Sequence, residues 1–124
     1  MMKITMFRVE DQYGDGPYAL ADGTFRSGEG TGLKMMYVSH GDESHPTPYE
    51  DDKLCGIADD EICGFATLAA LEEWFSGWED TLEDAGYHIA AYTVPYTSCR
   101  FGIEQDVFLR KDAELSRVMT MQEI

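Results

Sequence analysis

The feature that most constrains this chain is a concentration of negative charge in its middle third. Between Asp42 and Asp84 there are fourteen acidic residues and one basic residue, Lys53, so this segment holds −13 of the formal net charge of −15. The segments on either side each carry five acids and four bases. Repulsion among so many carboxylates opposes compaction, so the same segment must bury apolar surface to fold or engage a partner that its charge attracts.

An amphipathic helix supplies apolar surface inside the acidic segment. The Thr67 hydroxyl is placed to cap the free amides of a first turn, and four apolar side chains follow at three- and four-residue spacing: Leu68, Leu71, Trp74 and Phe75. Gly77 interrupts this pattern, and a second helical piece over 79–85 carries Leu82 inward and ends at Gly86. We therefore expect one principal helix with a short continuation.

Segments rich in β-forming residues lie on both sides of these helices. They predict strands over 4–10, 35–38, 87–94, 105–110 and 115–121, the second of them in the interior. Between about 40 and 61, two prolines and many acids without any period predict a long exposed loop. A chain of 124 residues fits one domain. The sequence predicts an α+β fold, a mainly antiparallel sheet with the helix packed on one face.

The core of this domain is predicted to join the helices to the later strands. Its helical members are Leu68, Leu71, Trp74, Phe75 and Leu82, and its strand members are Ile89, Tyr92, Val94, Val107 and Phe108.

Composition excludes several broad classes of protein. The aromatic content of 12% is too high for a disordered acidic tail. No apolar run approaches a membrane span, and residues 1–10 lack the apolar centre of a secretory signal, so we expect a cytoplasmic location and no membrane partner. Nine dispersed basic residues form no basic face, so direct binding of nucleic acid is not expected.

Candidate metal ligands do not follow a known spacing. His40, His45, Cys55 and Cys63 are separated by five, ten and eight positions, unlike a compact zinc motif. Four residues match positions one, five, six and twelve of a calcium loop, namely Asp11, Asp15, Gly16 and Asp22. The residues at the other positions do not fit a calcium loop. The three cysteines are expected to be reduced thiols, and no metal is predicted.

The acidic segment is the leading candidate for a functional surface. An acidic folded surface attracts the basic grooves with which proteins hold nucleic acid, so the predicted partner is a basic, nucleic-acid-handling protein. The alternative is a solvated surface that keeps the protein soluble. The predicted contact residues are Glu43, Glu50, Asp51, Asp52, Asp59, Asp60, Glu61, Glu72 and Glu73.

A second hypothesis is enzymatic. Glu104 and Asp106 are two residues apart, ahead of an apolar run, and this pattern resembles the Glu-x-Glu strand of ADP-ribosyltransferases. The resemblance implies NAD as cofactor, with Arg8 holding its phosphates, Ser39 supporting the site, Glu104 orienting the acceptor and Asp106 stabilising charge at the ribose. Asp106 departs from the family, whose catalytic acid is one methylene longer. The alternative is a pair of solvent-facing acids on an amphipathic strand.

The order of several short patches also resembles small accessory proteins of bacteriophages and other mobile elements. These patches comprise residues 7–10, 16–18, 45–46, 64–65 and the helix over 68–75. The resemblance implies no established activity. Such proteins often neutralise host defences, and several do so by presenting acidic side chains to a nucleic-acid site. For a phage-encoded protein of this kind, the acidic segment is interpretable as an inhibitory surface that acts in the host cytosol, with or without mimicry of nucleic acid.

Overall fold

The first sheet of this small α+β domain is built on β1, Lys3–Glu10, whose residues are apolar on both faces. The computed structural model describes residues 2–17, 36, 39–40 and 45–123. β1 pairs antiparallel with β3, His88–Pro95, and β3 pairs antiparallel with β6, Glu114–Met119. Since side chains alternate along a strand, β1 presents Val9 to one side and Met6 to the other. This sheet therefore needs a covering layer on each face.

Two helices cover the first face. They are α1, Leu68–Trp74, and α2, Glu79–Asp84. The Thr67 side chain caps α1 by accepting a 3.1 Å hydrogen bond from the amide of Ala70, as its sequence position predicts. The helices and this face enclose the larger apolar cluster, whose buried members include Val9, Phe65, Leu71, Trp74, Phe75, Leu82, Ile89 and Met119.

A second, smaller sheet covers the other face. It has the order β2-β5-β4, with β2 at Glu61–Gly64, β4 at Cys99–Phe101 and β5 at Asp106–Leu109. Met6 and Val94 of the first sheet pack there against Phe108 of the second. A pair of backbone hydrogen bonds of 2.8 Å between Phe7 and Phe65 links the two sheets.

Gly64 makes the close approach of the two sheets possible. A Cβ atom at this position would lie 2.8 Å from the carbonyl oxygen of Phe7 and 2.8 Å from the ring of Phe108. Any larger residue would push β2 away from β1, so glycine is required by packing here.

Several sequence predictions are corrected by the fold. The described residues confirm the predicted α+β class, and they form two antiparallel sheets of three strands each where one mainly antiparallel sheet was expected. The predicted core joined the helices to five strand residues, but only Ile89 belongs to the helix cluster, while Val94 and Phe108 lie in the cluster between the sheets. The strand predicted over 35–38 is wrong at Met36, which is helical and accepts a 2.8 Å hydrogen bond from the amide of His40. The rest of that predicted strand lies outside the described residues.

The predicted bounds of the remaining elements shift by a residue or a few. β5 starts one residue after its predicted start. β6 ends at Met119, two residues before its predicted end, and a 3-10 turn follows at Met121–Glu123. Shifts of this size are usual where elements fray or tighten at their ends.

Candidate functional site

The described part of the acidic segment begins at residue 45, beside the first helix. His45 lies against the end of α1, where its Nε2 is 3.0 Å from the carbonyl oxygen of Trp74. Its ring stacks on the buried ring of His40 at a centroid distance of 3.9 Å. The next residue, Pro46, accepts a 3.2 Å hydrogen bond from the side-chain amide of Gln105, just ahead of β5. This connection runs from the end of α1 to the second sheet.

Residues 47–61, which we call the acidic loop, are ordered by their own acids. Glu50 and Thr47 bond each other reciprocally: the Thr47 amide donates to Glu50 Oε1 at 3.0 Å, and the Glu50 amide donates to Thr47 Oγ1 at 3.3 Å. Asp51 is 1% exposed and accepts hydrogen bonds from the amides of Lys53, Leu54 and Ile103. The bond to Ile103, at 2.7 Å, ties the loop to the turn between β4 and β5.

The environment of Asp51 favours its charged form. Burial opposes that charge, but the three backbone amides outweigh it and lower the pKa of Asp51 below its ordinary value. Gly102 leaves room for this arrangement, since a Cβ there would lie 2.5 Å from Asp51 Oδ2. Asp51 therefore holds the loop in place and is not available to a partner.

Glu61 fastens the other end of the acidic loop. Arg100 on β4 donates to both of its oxygens, at 2.8 Å from Nε and 2.6 Å from the terminal nitrogen. The same guanidinium reaches the carbonyl oxygens of Leu54 and Gly56 at 2.6 and 3.0 Å. These hydrogen bonds lower the pKa of Glu61, whose side chain is only 7% exposed, and raise that of Arg100.

Exposure separates the nine predicted contact residues into groups. Six are exposed, namely Glu50, Asp52, Asp59, Asp60, Glu72 and Glu73. Asp51 and Glu61 are engaged as described, and Glu43 lies outside the described residues. The uniformly exposed loop predicted over about 40–61 is wrong at His40, Asp51 and Leu54, all of which are buried.

The helices add acids that the predicted contact set omitted. Asp80, Glu83 and Asp84 of α2 are exposed, and neither α1 nor α2 has a basic residue in its last turn. The sequence already showed the charge of these residues. Their exposure, however, depends on the orientation of α2, whose buried face carries Leu82. Over described residues 45–84 the exposed surface carries one base, Lys53.

An open cleft of about 550 Å³ lies between the acidic loop and the second sheet. Its walls include Tyr49, whose ring is 73% exposed, and Leu109 of β5, together with the Glu61–Arg100 pair. Asp60 also lines it. The acidic loop therefore contributes an exposed tyrosine and an exposed carboxylate to the lining of one open cleft.

The residues of the enzymatic hypothesis serve other contacts. Arg8 is buried between the sheets and donates to Glu10 Oε1 at 3.1 Å and to the carbonyl oxygens of Cys63 and Gly14 at 2.9 and 3.2 Å. Burial lowers its pKa, against the opposing charge of Glu10. Tyr92 donates to the same carboxylate at 2.7 Å, and burial together with this bond raises the pKa of Tyr92 to about 12. This network joins the first sheet to β2.

The other three members of that hypothesis lie apart from this network. Asp106 accepts from the amides of Ala66 and Gly102, at 3.0 and 3.1 Å, and burial raises its pKa despite these bonds. Glu104 precedes β5, so the expectation that it shares a strand face with Asp106 is wrong. Ser39 is exposed on a helical turn. Within the described ranges no hydrogen bond or ion pair joins Arg8 to any of the three.

The candidate metal ligands also remain dispersed. Cys55 is exposed, whereas burial raises the pKa of the Cys63 thiol. Among the described residues no three His, Cys, Asp or Glu side chains are grouped to hold a metal ion. Asp22, one of the four calcium-loop positions, lies outside them. No helix of the described residues is long and apolar enough to cross a membrane.

Comparison with known proteins identifies the family. Residues 2–122 match the family model described as bacteriophage T4 Y00F protein. This chain belongs to the Y00F family. The match covers β1 through β6 and therefore includes the acidic loop and both helices. No curated protein and no solved structure matches the chain.

Family membership confirms one of the two resemblances stated from the sequence. The chain is a phage-family protein, as its resemblance to phage accessory proteins implied. The comparisons provide no support for the resemblance to ADP-ribosyltransferases.

Proposed function

We propose that this phage-family protein binds and inhibits a basic host protein that handles nucleic acid, such as a defence factor. The observation that carries the proposal is the run of exposed carboxylates over 45–84 with Lys53 as its one base. The proposed contacts are the exposed members of the predicted set, Glu50, Asp52, Asp59, Asp60, Glu72 and Glu73.

The order of the acidic loop supports this role. Its exposed acids stand beside Asp51 and Glu61, which bind the loop to the second sheet through Ile103 and Arg100. A carboxylate on an ordered backbone loses less conformational freedom on binding than one on a disordered tail. The loop is therefore suited to hold its charges in a fixed pattern against a basic groove.

The inferred mechanism is occupation of a cationic groove that would otherwise hold nucleic acid. Long-range attraction between the acidic surface and the groove would accelerate encounter, and salt would weaken it. The cleft beside Tyr49 offers a ring face and the Asp60 carboxylate, a combination that suits an arginine or lysine side chain of such a partner.

The test is affinity capture from host lysate with the full chain as bait, followed by competition with added nucleic acid. We expect a basic partner that is retained at about 0.1 M salt and released towards about 1 M, because the Debye length shortens from about 10 to about 3 Å. Added DNA or RNA should displace it, since both ligands would occupy one groove.

A matched pair of variants separates this surface from total charge. Asp52→Asn with Asp59→Asn and Asp60→Asn removes three charges from the acidic loop. Glu104→Gln with Asp112→Asn and Glu114→Gln removes three charges from outside it. We expect only the first variant to lose the partner. Equal retention by both variants, or a partner indifferent to salt and nucleic acid, would overturn the proposal.

A further inference from the structure

Among the described residues, one edge of the first sheet has no partner strand. The sheet has the order β1-β3-β6, and in the part of the chain that the structure describes β6 pairs with a strand on one side only. Its first five residues are exposed. β1, at the opposite edge, is linked through Phe7 to Phe65. The unpaired amides and carbonyls of an edge strand are a template for another strand.

A bulge gives this edge an apolar side. Arg117 is opposite Ala91 and Leu115 is opposite Tyr92, so Ser116 is an extra residue, and its hydroxyl donates to the Ala91 carbonyl oxygen at 2.9 Å. Residues three apart in a regular strand point to opposite faces. Here the bulge places Leu115 on the same face as Val118, and each is 53% exposed.

We propose that β6 pairs with β6 of a second copy of this chain, antiparallel and about a two-fold axis between Ser116 and Arg117. In that register Leu115 of each copy is opposite Val118 of the other, on the same face of a continuous six-stranded sheet. On the opposite face, Glu114 of each copy is diagonal to Arg117 of the other. Apolar pairs directly opposite and opposite charges on the diagonal both stabilise an antiparallel pair.

The charge distribution permits this contact despite the net charge of each copy. Almost all of the acidic excess is confined to residues 42–84, whereas residues 110–119 contain three bases and two acids. Added salt screens the repulsion that the remaining acids exert between the copies. A second copy fits the strand because its sequence is self-complementary in this one register.

We expect a weak dimer. The area buried by pairing a single six-residue strand is at or below about 1,200 Å², the lower limit for stable interfaces. The bulge also twists the edge strand and shortens the pairing. This inference is independent of the proposed acidic contacts. Salt also acts in the opposite direction on it, strengthening the dimer while weakening capture of a basic partner.

The experiment is analytical ultracentrifugation of the full chain over a wide range of concentration, in low and in moderate salt. We expect a monomer–dimer equilibrium that shifts towards the dimer with concentration and with salt. A chain that remains monomeric at the highest concentration in both buffers would overturn the proposal. The same result is expected if β6 pairs with a strand of another protein instead of a second copy.

Two charge variants test the register. Leu115→Lys with Val118→Lys places like charges opposite each other and should weaken the dimer by about tenfold or more, although it lowers the net charge. Leu115→Glu with Val118→Lys places opposite charges there and should retain the dimer. Both positions are half exposed, and thermal melts establish that each variant is folded. Equal behaviour of the two variants would contradict this register.

Discussion

The acidic loop, 47–61, and the helix pair, 68–84, carry charge of the same sign but are held to the protein by different forces. Leu71, Trp74, Phe75 and Leu82 attach the helices through apolar burial on the first sheet. The loop is attached to the second sheet by polar contacts in which Asp51 and Glu61 are the acceptors. In the helices, apolar side chains supply the main attachment, and of the acids there Glu79 accepts from the Gly77 amide and Asp80 from the Gln122 side chain. In the loop, the acids themselves are part of the attachment.

The comparison shows that a run of acids is not uniform in role. Asp51 and Asp52 are neighbours, yet one is buried and accepts three amides while the other is exposed. Removing charge should therefore change stability at a few positions and binding at others. Substitutions in the two regions can separate these effects.

The largest effect is expected in the helix pair. Trp74 is 6% exposed in the larger cluster, so Trp74→Ala should lower the free energy of unfolding by about 3–5 kcal/mol through lost burial and a residual cavity. Urea denaturation followed by circular dichroism measures it. Tyr49→Ala in the acidic loop, where the ring is 73% exposed, serves as the control and should change stability by less than about 0.5 kcal/mol. Similar losses would mean that the loop also depends on apolar burial.

The next effect concerns the polar attachment of the loop. Asp51→Ala leaves the amides of Lys53, Leu54 and Ile103 without their acceptor and should cost about 2–3 kcal/mol. Asp52→Ala removes the same charge at an exposed position, and we expect it to be nearly neutral. The same denaturation experiment compares them. Equal effects of the two substitutions would show that Asp51 does not hold the loop.

Acid should weaken the loop before the helices. The folded-state pKa values of Asp51 and Glu61 are lowered from ordinary values of 3.8 and 4.5, so the folded protein binds fewer protons than the unfolded chain. Their contribution is complete above those ordinary values and is lost as pH falls through the lowered ones. Stability measured from pH 7 to 2 should therefore fall less steeply in Asp51→Asn than in the wild type. Parallel curves would contradict this assignment. Burial is the main cause of the raised pKa of Asp106 and is present in both proteins, whereas Asp51→Asn removes the smallest cause, the Asp51 charge.

The smallest effect is expected from the free helix acids. Glu72→Gln with Glu73→Gln removes two exposed charges from a segment with few bases and should raise the free energy of unfolding slightly, by about a few tenths of a kcal/mol, through reduced repulsion. Glu61→Gln is the matched change in the loop and should lower it, because Arg100 loses an ionised partner. Destabilisation by the helix variant would show that these acids also have structural partners.

Local patterns predicted the elements whose determinants are local. The Thr67 cap, the stripe from Leu71 to Phe75 and the break at Gly77 involve contacts within a few residues, and the structure places the helix as they indicate. The α+β class followed for the same reason. The two-sided apolar character of β1 was visible as well, and it is the feature from which a second covering sheet could have been predicted.

The candidate site could be predicted only in outline. The sequence located the acidic segment and most of its exposed residues. It did not distinguish Asp51 from Asp52, since the donor that sets them apart, Ile103, is about fifty positions away along the chain. Glu61 and Arg100, which also pair, are 39 positions apart. Glu104 and Asp106 do not form a strand motif, because β5 begins at Asp106 and Glu104 lies in the preceding turn. Asp106 stabilises that turn by accepting from the Gly102 amide.

By itself the sequence determined where the charge lies, which stripe of the helix is apolar and that strands surround it, because charge, spacing and capping are properties of neighbouring residues. Tertiary structure alone decided which acids are buried, which face of β6 carries Leu115 and Val118, and that Arg8 joins two sheets. Those outcomes depend on hydrogen bonds and strand registers between distant segments, and such contacts acquire their free energy only when the chain has brought both partners out of water together.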